Sequence, residues 1–297
     1  MGCQPTETTT ATLISRAPIS WIASGAGPTP APQTWCLTRM LEFPTTTSRF
    51  TARTANPGHT ARLRCFCGSL TAAEGFCSSR KTPTPASGSA KRTGCTKSVV
   101  DWFQEKNADL VSDAGKTFPA LAFVHIPVNA SLAIQEAGVS ARYQPSIDDD
   151  RPVSQQGQGW CSDGANNDTC SYGEQDIPFM KAIASTPGLM GLFSGHDHGN
   201  TWCYRWDRRL PGMSIAGNGI NLCFGQHSGY GGYGSWIRGA RQILVTREQL
   251  DDFAVDTYIR LESGATVGSV TLNSTYGEDR YPTTPNDKTH CPTSAGI

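Results

Sequence analysis

LMGLFSGHDHGN occupies residues 189–200 and joins an apolar run to two histidines. The run is short and leads into a glycine, which is typical of a buried strand that enters a sharp turn. His196 and His198 stand two residues apart, so an extended backbone would direct both imidazoles to the same side. The stretch therefore predicts a strand that delivers two histidines at its carboxyl end.

A second apolar run, PALAFVHIP, also ends in a histidine, His125. In open α/β sheets the carboxyl ends of the strands are where ligands and catalytic groups collect. Neutral imidazole is the commonest metal ligand, so convergence of His125, His196 and His198 on one edge predicts a site for zinc, iron or manganese. The alternative for His125 is a hydrogen-bonded core residue, a frequent role for a single histidine beside apolar residues.

Helical and strand patterns are mixed along the second part of the chain, which predicts an α/β fold class. The region 128–173 is instead a polar excursion, in which Asp148, Asp149 and Asp150 are predicted to form a solvated turn. The predicted elements are a helix closed by Gly115, a helix over 175–185, a strand through 202–206, paired strands within 213–225 and 226–246, and a meander over 253–262 and 267–275.

The first part of the chain has another composition. Residues 1–100 carry a formal charge of +8 and the remainder −8, and the first aspartate is Asp101. Thr, Ser, Pro, Ala and Gly dominate there, and such a segment buries too little apolar surface to offset its ordering entropy. We predict three parts: a low-complexity segment over 1–96 that is disordered or mistranslated, a folded part over 97–275, and a polar tail over 276–297.

Composition also limits the partners. The arginines of the first 100 residues are scattered singly, which argues against a nucleic-acid partner. No run of about 18 apolar residues exists, so no transmembrane segment is expected.

Cysteine spacing suggests disulfides within two pairs, Cys161 with Cys170 around a polar loop and Cys203 with Cys223 around a predicted strand. Three triplets that start at Asn129, Asn167 and Asn273 match the acceptor pattern for N-glycosylation. Both features suggest a secreted ancestry. The N-terminus shows no signal peptide, so the localisation is not assigned.

FVHIP and SGHDHGNTWC together resemble the last two motifs of calcineurin-like metallophosphoesterases. The later segment CFGQHSGYGGYGSWIRGAR is similar to the fungal, purple-acid-phosphatase-like branch of that family. This resemblance covers about residues 97–275 and implies a partial calcineurin-like β-sandwich with flanking helices, whose N-terminal half is missing or disordered. It also implies two metal ions that clamp a phosphate ester and activate water, with a small phosphate ester or a phosphoprotein as substrate.

The resemblance implies site residues as well. His125 and His196 resemble ligands of one ion, and His198 resembles a ligand of the other. His227 is a further candidate for contact with a substrate oxygen, although the position before it holds Gln226 where relatives are expected to have arginine. No catalytic residue is assigned.

The family's earlier motifs, DxH, GD and GNH, supply the other ligands and are absent from residues 1–100. Four interpretations stay open: an active phosphoesterase with unrecognised early motifs, a remnant whose three histidines hold one ion, a genuine C-terminal half joined to a shifted reading frame or mispredicted exon, and a secreted binding module without catalysis. We favour the third, with an incomplete dinuclear site that holds two metal ions or fewer.

Overall fold

The protein is represented by a computed structural model. It describes residues 94–157, 172–230 and 233–289, together with the backbone of four strands further upstream. These strands are β1 (Thr9–Ser15), β2 (Ile19–Ser20), β3 (Thr51–Ala52) and β4 (Cys67–Leu70). Most of the predicted low-complexity segment lies outside the described residues, so its nature stays a prediction.

The rest of the described chain contains both helices and strands, which confirms the mixed α/β class. The helices are α1 (Lys97–Ala114), α2 (Asn129–Ala137), α3 (Ile177–Ser185) and α4 (Arg247–Asp251). The strands are β5 (Ala120–Val124), β6 (Leu189–Ser194), β7 (Cys203–Trp206), β8 (Ile220–Phe224), β9 (Gln226–His227), β10 (Gly239–Val245), β11 (Val255–Leu261) and β12 (Thr266–Leu272).

One sheet, which we call the helix-backed sheet, has the strand order β4-β5-β6-β8-β7. Its strands are parallel except for β7, which pairs antiparallel with β8 at the edge. Parallel strands covered on both faces are apolar along their whole length. In β5, for example, Ala120, Ala122 and Val124 pack in the cluster that includes α1, α2 and α3, whereas Leu121 packs on the opposite side.

The second sheet, which we call the outer sheet, has the order β12-β11-β10-β1-β9. β11 alternates buried and more exposed residues, as expected for a strand with one packed face. Ile243, Val255 and Val270 from this sheet share a buried cluster with Met190 and Phe193 from the helix-backed sheet. The two sheets therefore face each other, and α1, α2 and α3 cover the far side of the helix-backed sheet.

Several predicted elements are confirmed. The first helix is α1, and it is closed by Gly115, whose φ of 63° is the left-handed conformation that glycine adopts at low cost. Gly115 N–H donates to the Val111 carbonyl at 2.9 Å. The predicted helix over 175–185 begins at Ile177, and β11 and β12 form the predicted antiparallel meander.

The predicted pairing between 213–225 and 226–246 is wrong. β8 pairs with β6 and β7, whereas β10 pairs with β11 and β1 in the other sheet. The physical reason lies in burial, because β8 is buried on both faces and β10 on alternate residues only. The polar excursion also contains a helix that the sequence analysis missed, α2, which buries Ala130, Ala133 and Ile134.

Among the helices in the described part of the chain, none is long and apolar enough to cross a bilayer.

Candidate metal site

Three histidines follow the carboxyl ends of neighbouring parallel strands. His125 comes directly after β5, His196 two residues after β6, and His227 three residues after β8. Because β5, β6 and β8 are adjacent and parallel, these three positions lie along one edge of the helix-backed sheet. This is the edge at which open α/β sheets place their ligands.

His125 and His196 are in direct contact. His125 Nε2 and His196 Nδ1 lie 3.3 Å apart, and the two rings stand nearly perpendicular at 81°. The backbones are joined too, since Gly195 N–H donates to the His125 carbonyl at 2.9 Å. Two nitrogen ligands on a tetrahedral zinc ion, at their usual bond lengths, lie about 3.3 Å from each other. The spacing of this pair therefore fits two ligands of one ion.

His196 has a strained backbone. Its φ is 72°, a value that is uncommon for any residue other than glycine. Asp197 N–H donates to the Gly195 carbonyl at 2.9 Å and closes a three-residue turn centred on His196. Strained residues of this kind cluster at functional sites, where the surrounding structure holds them in place. The turn aims the imidazole at His125.

His198 is held between two other rings. Its ring stacks on His227 with centroids 3.7 Å apart and on Tyr233 with centroids 4.2 Å apart. His198 Nδ1 lies 2.9 Å from the Tyr233 carbonyl. A carbonyl accepts only, so Nδ1 carries the hydrogen and Nε2 keeps the lone pair that a metal ion needs. The tautomer of His198 therefore fits a ligand that binds through Nε2.

The structure does not gather the three predicted ligands into one group. Within the described residues no set of three His, Cys, Asp or Glu side chains is arranged to hold one ion. His125 and His196 form the pair, and His198 lies apart from it. The ring contacts of His198 are instead with His227 and Tyr233.

His227 is buried, with 1% of its surface exposed, under the ring of His198. The predicted contact between His227 and a substrate oxygen stays a prediction. Its neighbour Gln226 is also buried and donates through Nε2 to the Ile237 carbonyl at 2.6 Å. The position before His227 is therefore occupied by a side-chain amide that is hydrogen-bonded to the backbone.

The predicted solvated turn is wrong for Asp148 and Asp150, which are partly buried and hydrogen-bonded, whereas Asp149 is exposed. Asp148 accepts hydrogen bonds from Gln135 Nε2 at 2.7 Å and from Trp202 Nε1 at 3.1 Å. Asp150 accepts from Gly199 N–H at 3.3 Å and from the Tyr233 hydroxyl. These carboxylates satisfy donors of the segment that carries His198. The signal was not visible in the sequence, because the donors lie between 13 and 83 residues away.

Asp197 is attached to the backbone at Ser154. Its Oδ1 accepts from Ser154 N–H at 3.0 Å, and within the described residues its Oδ2 has no hydrogen-bond partner. Burial raises the pKa of Asp197 to about 7, and the nearby charge of Asp150 adds to this effect. The Asp197 side chain, which lies between His196 and His198 in the sequence, therefore attaches this loop to Ser154.

The described residues include only some of the cysteines predicted to form disulfides and of the asparagines predicted to be glycosylated. Cys203 and Cys223 form a disulfide between β7 and β8. Cys161, Cys170 and Asn167 lie outside the described residues. The other two triplets begin at Asn129, the first residue of α2, and at Asn273 after β12.

A comparison with known proteins finds one partial match that bears on the family. A segment of 73 residues is 34% identical to a protein of Arabidopsis thaliana named "Probable inactive purple acid phosphatase 14". The match covers 25% of this chain and 15% of the length of that relative. No protein-family model and no solved structure matches the chain. The finding supports a metallophosphoesterase-like family, and since the relative is a plant protein, the similarity to a fungal branch stays a prediction.

Proposed function

We propose that this protein is a calcineurin-like, metal-dependent phosphoester hydrolase by ancestry, with an incomplete dinuclear site. The observation that carries the proposal is the 3.3 Å spacing between His125 Nε2 and His196 Nδ1 at the ends of neighbouring parallel strands. Two face-to-face sheets with helices on one side are in keeping with the β-sandwich of that family. In this proposal the pair binds one divalent or trivalent ion.

His198 is proposed as the ligand of a second ion through Nε2. Imidazole suits zinc, iron and manganese, so the ligand set is compatible with any of these ions. When bound, such ions polarise a phosphoryl oxygen and make a coordinated water more acidic. The residues of this chain orient the ligands: the Tyr233 carbonyl fixes the tautomer of His198, and the turn at His196 directs its ring.

A catalytically inactive metal-binding protein is the second candidate. Residues 1–100 contain no aspartate, so this segment offers no bridging aspartate. The name of the similar plant protein includes the word inactive, which points the same way. A binding module that holds no metal is the further alternative.

Metal content and hydrolysis of p-nitrophenyl phosphate, measured together on the full chain, test the proposal. The variants are His125→Ala, His196→Ala and His198→Ala, and the control is Lys181→Ala, an exposed change on α3. Two ions per chain with turnover that the histidine variants lose would establish an active enzyme. One ion that is lost in His125→Ala and His196→Ala, without turnover, would establish the inactive candidate. Wild-type protein without bound metal would overturn both.

A further inference from the structure

We infer that Arg241 is a positioning residue. From inside the core it fixes the position of the His198 segment (residues 195–202) relative to the His227 segment (residues 224–230). The inference rests on the proposed function in so far as these segments build a metal site. Arg241 lies in β10 of the outer sheet, whereas His125, His196 and His198 follow strands of the helix-backed sheet. It acts through other residues and is not proposed to contact a metal ion or a substrate.

The guanidinium of Arg241 binds three acceptors. Nε donates to the Phe224 carbonyl at 2.6 Å, and Nη2 donates to the Thr201 carbonyl at 2.5 Å. Nη1 donates to Thr257 Oγ1 at 3.1 Å, within the outer sheet. The first two acceptors belong to the helix-backed sheet and its loops. One planar group thus connects the two sheets at the level of the candidate site.

The Thr201 and Phe224 carbonyls lie close in sequence to His198 and His227. Thr201 follows His198 by three residues, and Phe224 precedes His227 by three residues. The planar guanidinium presents its donors at fixed angles, so it sets the distance between the two carbonyls. Since the rings of His198 and His227 stack at 3.7 Å, a shift of either segment would displace the imidazole of His198.

Thr201 extends this connection to the aspartate loop. Its N–H donates to the Ile147 carbonyl at 3.0 Å, and its Oγ1 accepts from Ile147 N–H at 3.0 Å. The residues directly after Ile147 are those whose carboxylates bind the His198 segment. Through Thr201, Arg241 therefore stabilises one end of the His198 segment and one end of the aspartate loop.

Packing alone does not account for an arginine here. Arg241 is 2% exposed, and within the described residues no carboxylate pairs with it. Burial lowers the pKa of Arg241 to about 10, so the side chain is still charged at neutral pH. A buried charge without a counter-ion costs stability that an apolar side chain of similar volume would not. The guanidinium donates hydrogen bonds to the Phe224 and Thr201 carbonyls, which an apolar side chain could not do.

The experiment compares Arg241→Lys and Arg241→Met with Thr257→Val in the full chain. The lysine keeps the charge but cannot span both carbonyls. Thr257→Val acts within the outer sheet alone, where it removes the acceptor of Arg241 Nη1 and the hydrogen bond that Thr257 Oγ1 donates to the Gln242 carbonyl. Zn²⁺ affinity is measured by competition with a chelator, thermal unfolding is recorded for each variant, and hydrogen exchange is followed in residues 195–202, 224–230 and 255–261.

We expect Arg241→Lys to weaken Zn²⁺ binding about 10- to 100-fold, the range typical for loss of groups that orient metal ligands. Exchange should rise in 195–202 and 224–230. Thr257→Val should lower the unfolding temperature and raise exchange only in 255–261, with Zn²⁺ affinity retained. This contrast separates positioning from a general loss of stability.

Unchanged Zn²⁺ affinity and unchanged exchange of both loops in folded Arg241→Lys would overturn the inference. If Arg241→Met does not fold, Arg241→Lys decides the question alone. If the wild-type chain binds no Zn²⁺, the proposed function fails, and hydrogen exchange still tests the positioning role: faster exchange of both loops supports it, and unchanged exchange refutes it.

Discussion

His196 combines a candidate ligand nitrogen with a backbone conformation that L-residues avoid. Its φ of 72° belongs to the three-residue turn over 195–197, in which Gly195 N–H donates to the His125 carbonyl. Glycine adopts this conformation without the steric cost that a Cβ brings. Stability therefore favours glycine at this position, whereas the proposed metal binding requires histidine.

We predict that His196→Gly is more stable than His196→Ala by about 1 kcal/mol, because only alanine keeps the strain of a positive φ. Both variants lack the imidazole, so the comparison isolates the backbone term. Chemical denaturation in the presence of a chelator measures it. Equal unfolding free energies for the two variants would contradict this account of the turn.

Asp176 is a buried carboxyl away from the histidine edge. Its Oδ2 accepts from Asn129 N–H at 2.7 Å, at the start of α2, and its Oδ1 accepts from the Tyr172 hydroxyl. Burial raises the pKa of Asp176 to about 6, although both hydrogen bonds favour the charged form. A raised carboxyl pKa in the folded state means that the folded protein holds the proton more tightly than the unfolded chain.

It follows that the stabilising contribution of protonated Asp176 is fully present below pH 3.8 and is lost as the pH rises through about 6. We predict that Asp176→Asn removes this fall, which amounts to about 3 kcal/mol at most. Unfolding free energies of both proteins at several pH values between 4 and 8 measure it. If the two curves run parallel, Asp176 does not titrate as described.

At the scale of elements, the disulfide joins two strands of the helix-backed sheet directly. Cys203 of β7 and Cys223 of β8 are register partners, and β7 is the edge strand. The bridge closes a segment of 20 residues, and a covalent closure of this size lowers the entropy of the unfolded chain. It keeps β7 attached beside the strand that leads to His227.

Replacement of both cysteines by alanine is predicted to lower the free energy of unfolding by about 3 kcal/mol. The matched control is Cys95→Ala, which changes a buried cysteine that forms no disulfide. Chemical denaturation without reductant gives both values. A double variant no less stable than the control would show that the bridge does not stabilise the fold.

At the scale of the whole molecule, one carboxylate connects distant parts of the chain. Asp149 Oδ2 accepts from Trp236 Nε1 at 2.9 Å, Asn286 Nδ2 at 2.6 Å and Lys288 Nζ at 3.1 Å. The predicted polar tail is thereby attached beside the loop that contains Tyr233. The contact is at the surface, where an ion pair contributes at most about 1 kcal/mol.

We therefore predict that Asp149→Ala accelerates hydrogen exchange in residues 281–289 and changes the unfolding temperature little. Asp207→Ala is the control, because Asp207 is also exposed and its ion pair with Arg208, at 3.7 Å, is local. Faster exchange of the tail in both variants, or in neither, would contradict the assigned role of Asp149.

The sequence by itself determined the elements that depend on local pattern. The apolar runs before His125 and His196 were recognisable because strands buried on both faces are continuously apolar. The closing glycine of α1 and the alternation in β11 and β12 are likewise visible within a few residues.

Only the tertiary structure decided which strands pair and what surrounds the histidines. β8 and β10 have similar apolar content but lie in different sheets. The carboxylates of Asp148 and Asp150 and the guanidinium of Arg241 meet partners that are 13 to 83 residues away. A hydrogen bond between such distant residues depends on three-dimensional packing and leaves no periodic signal along the chain.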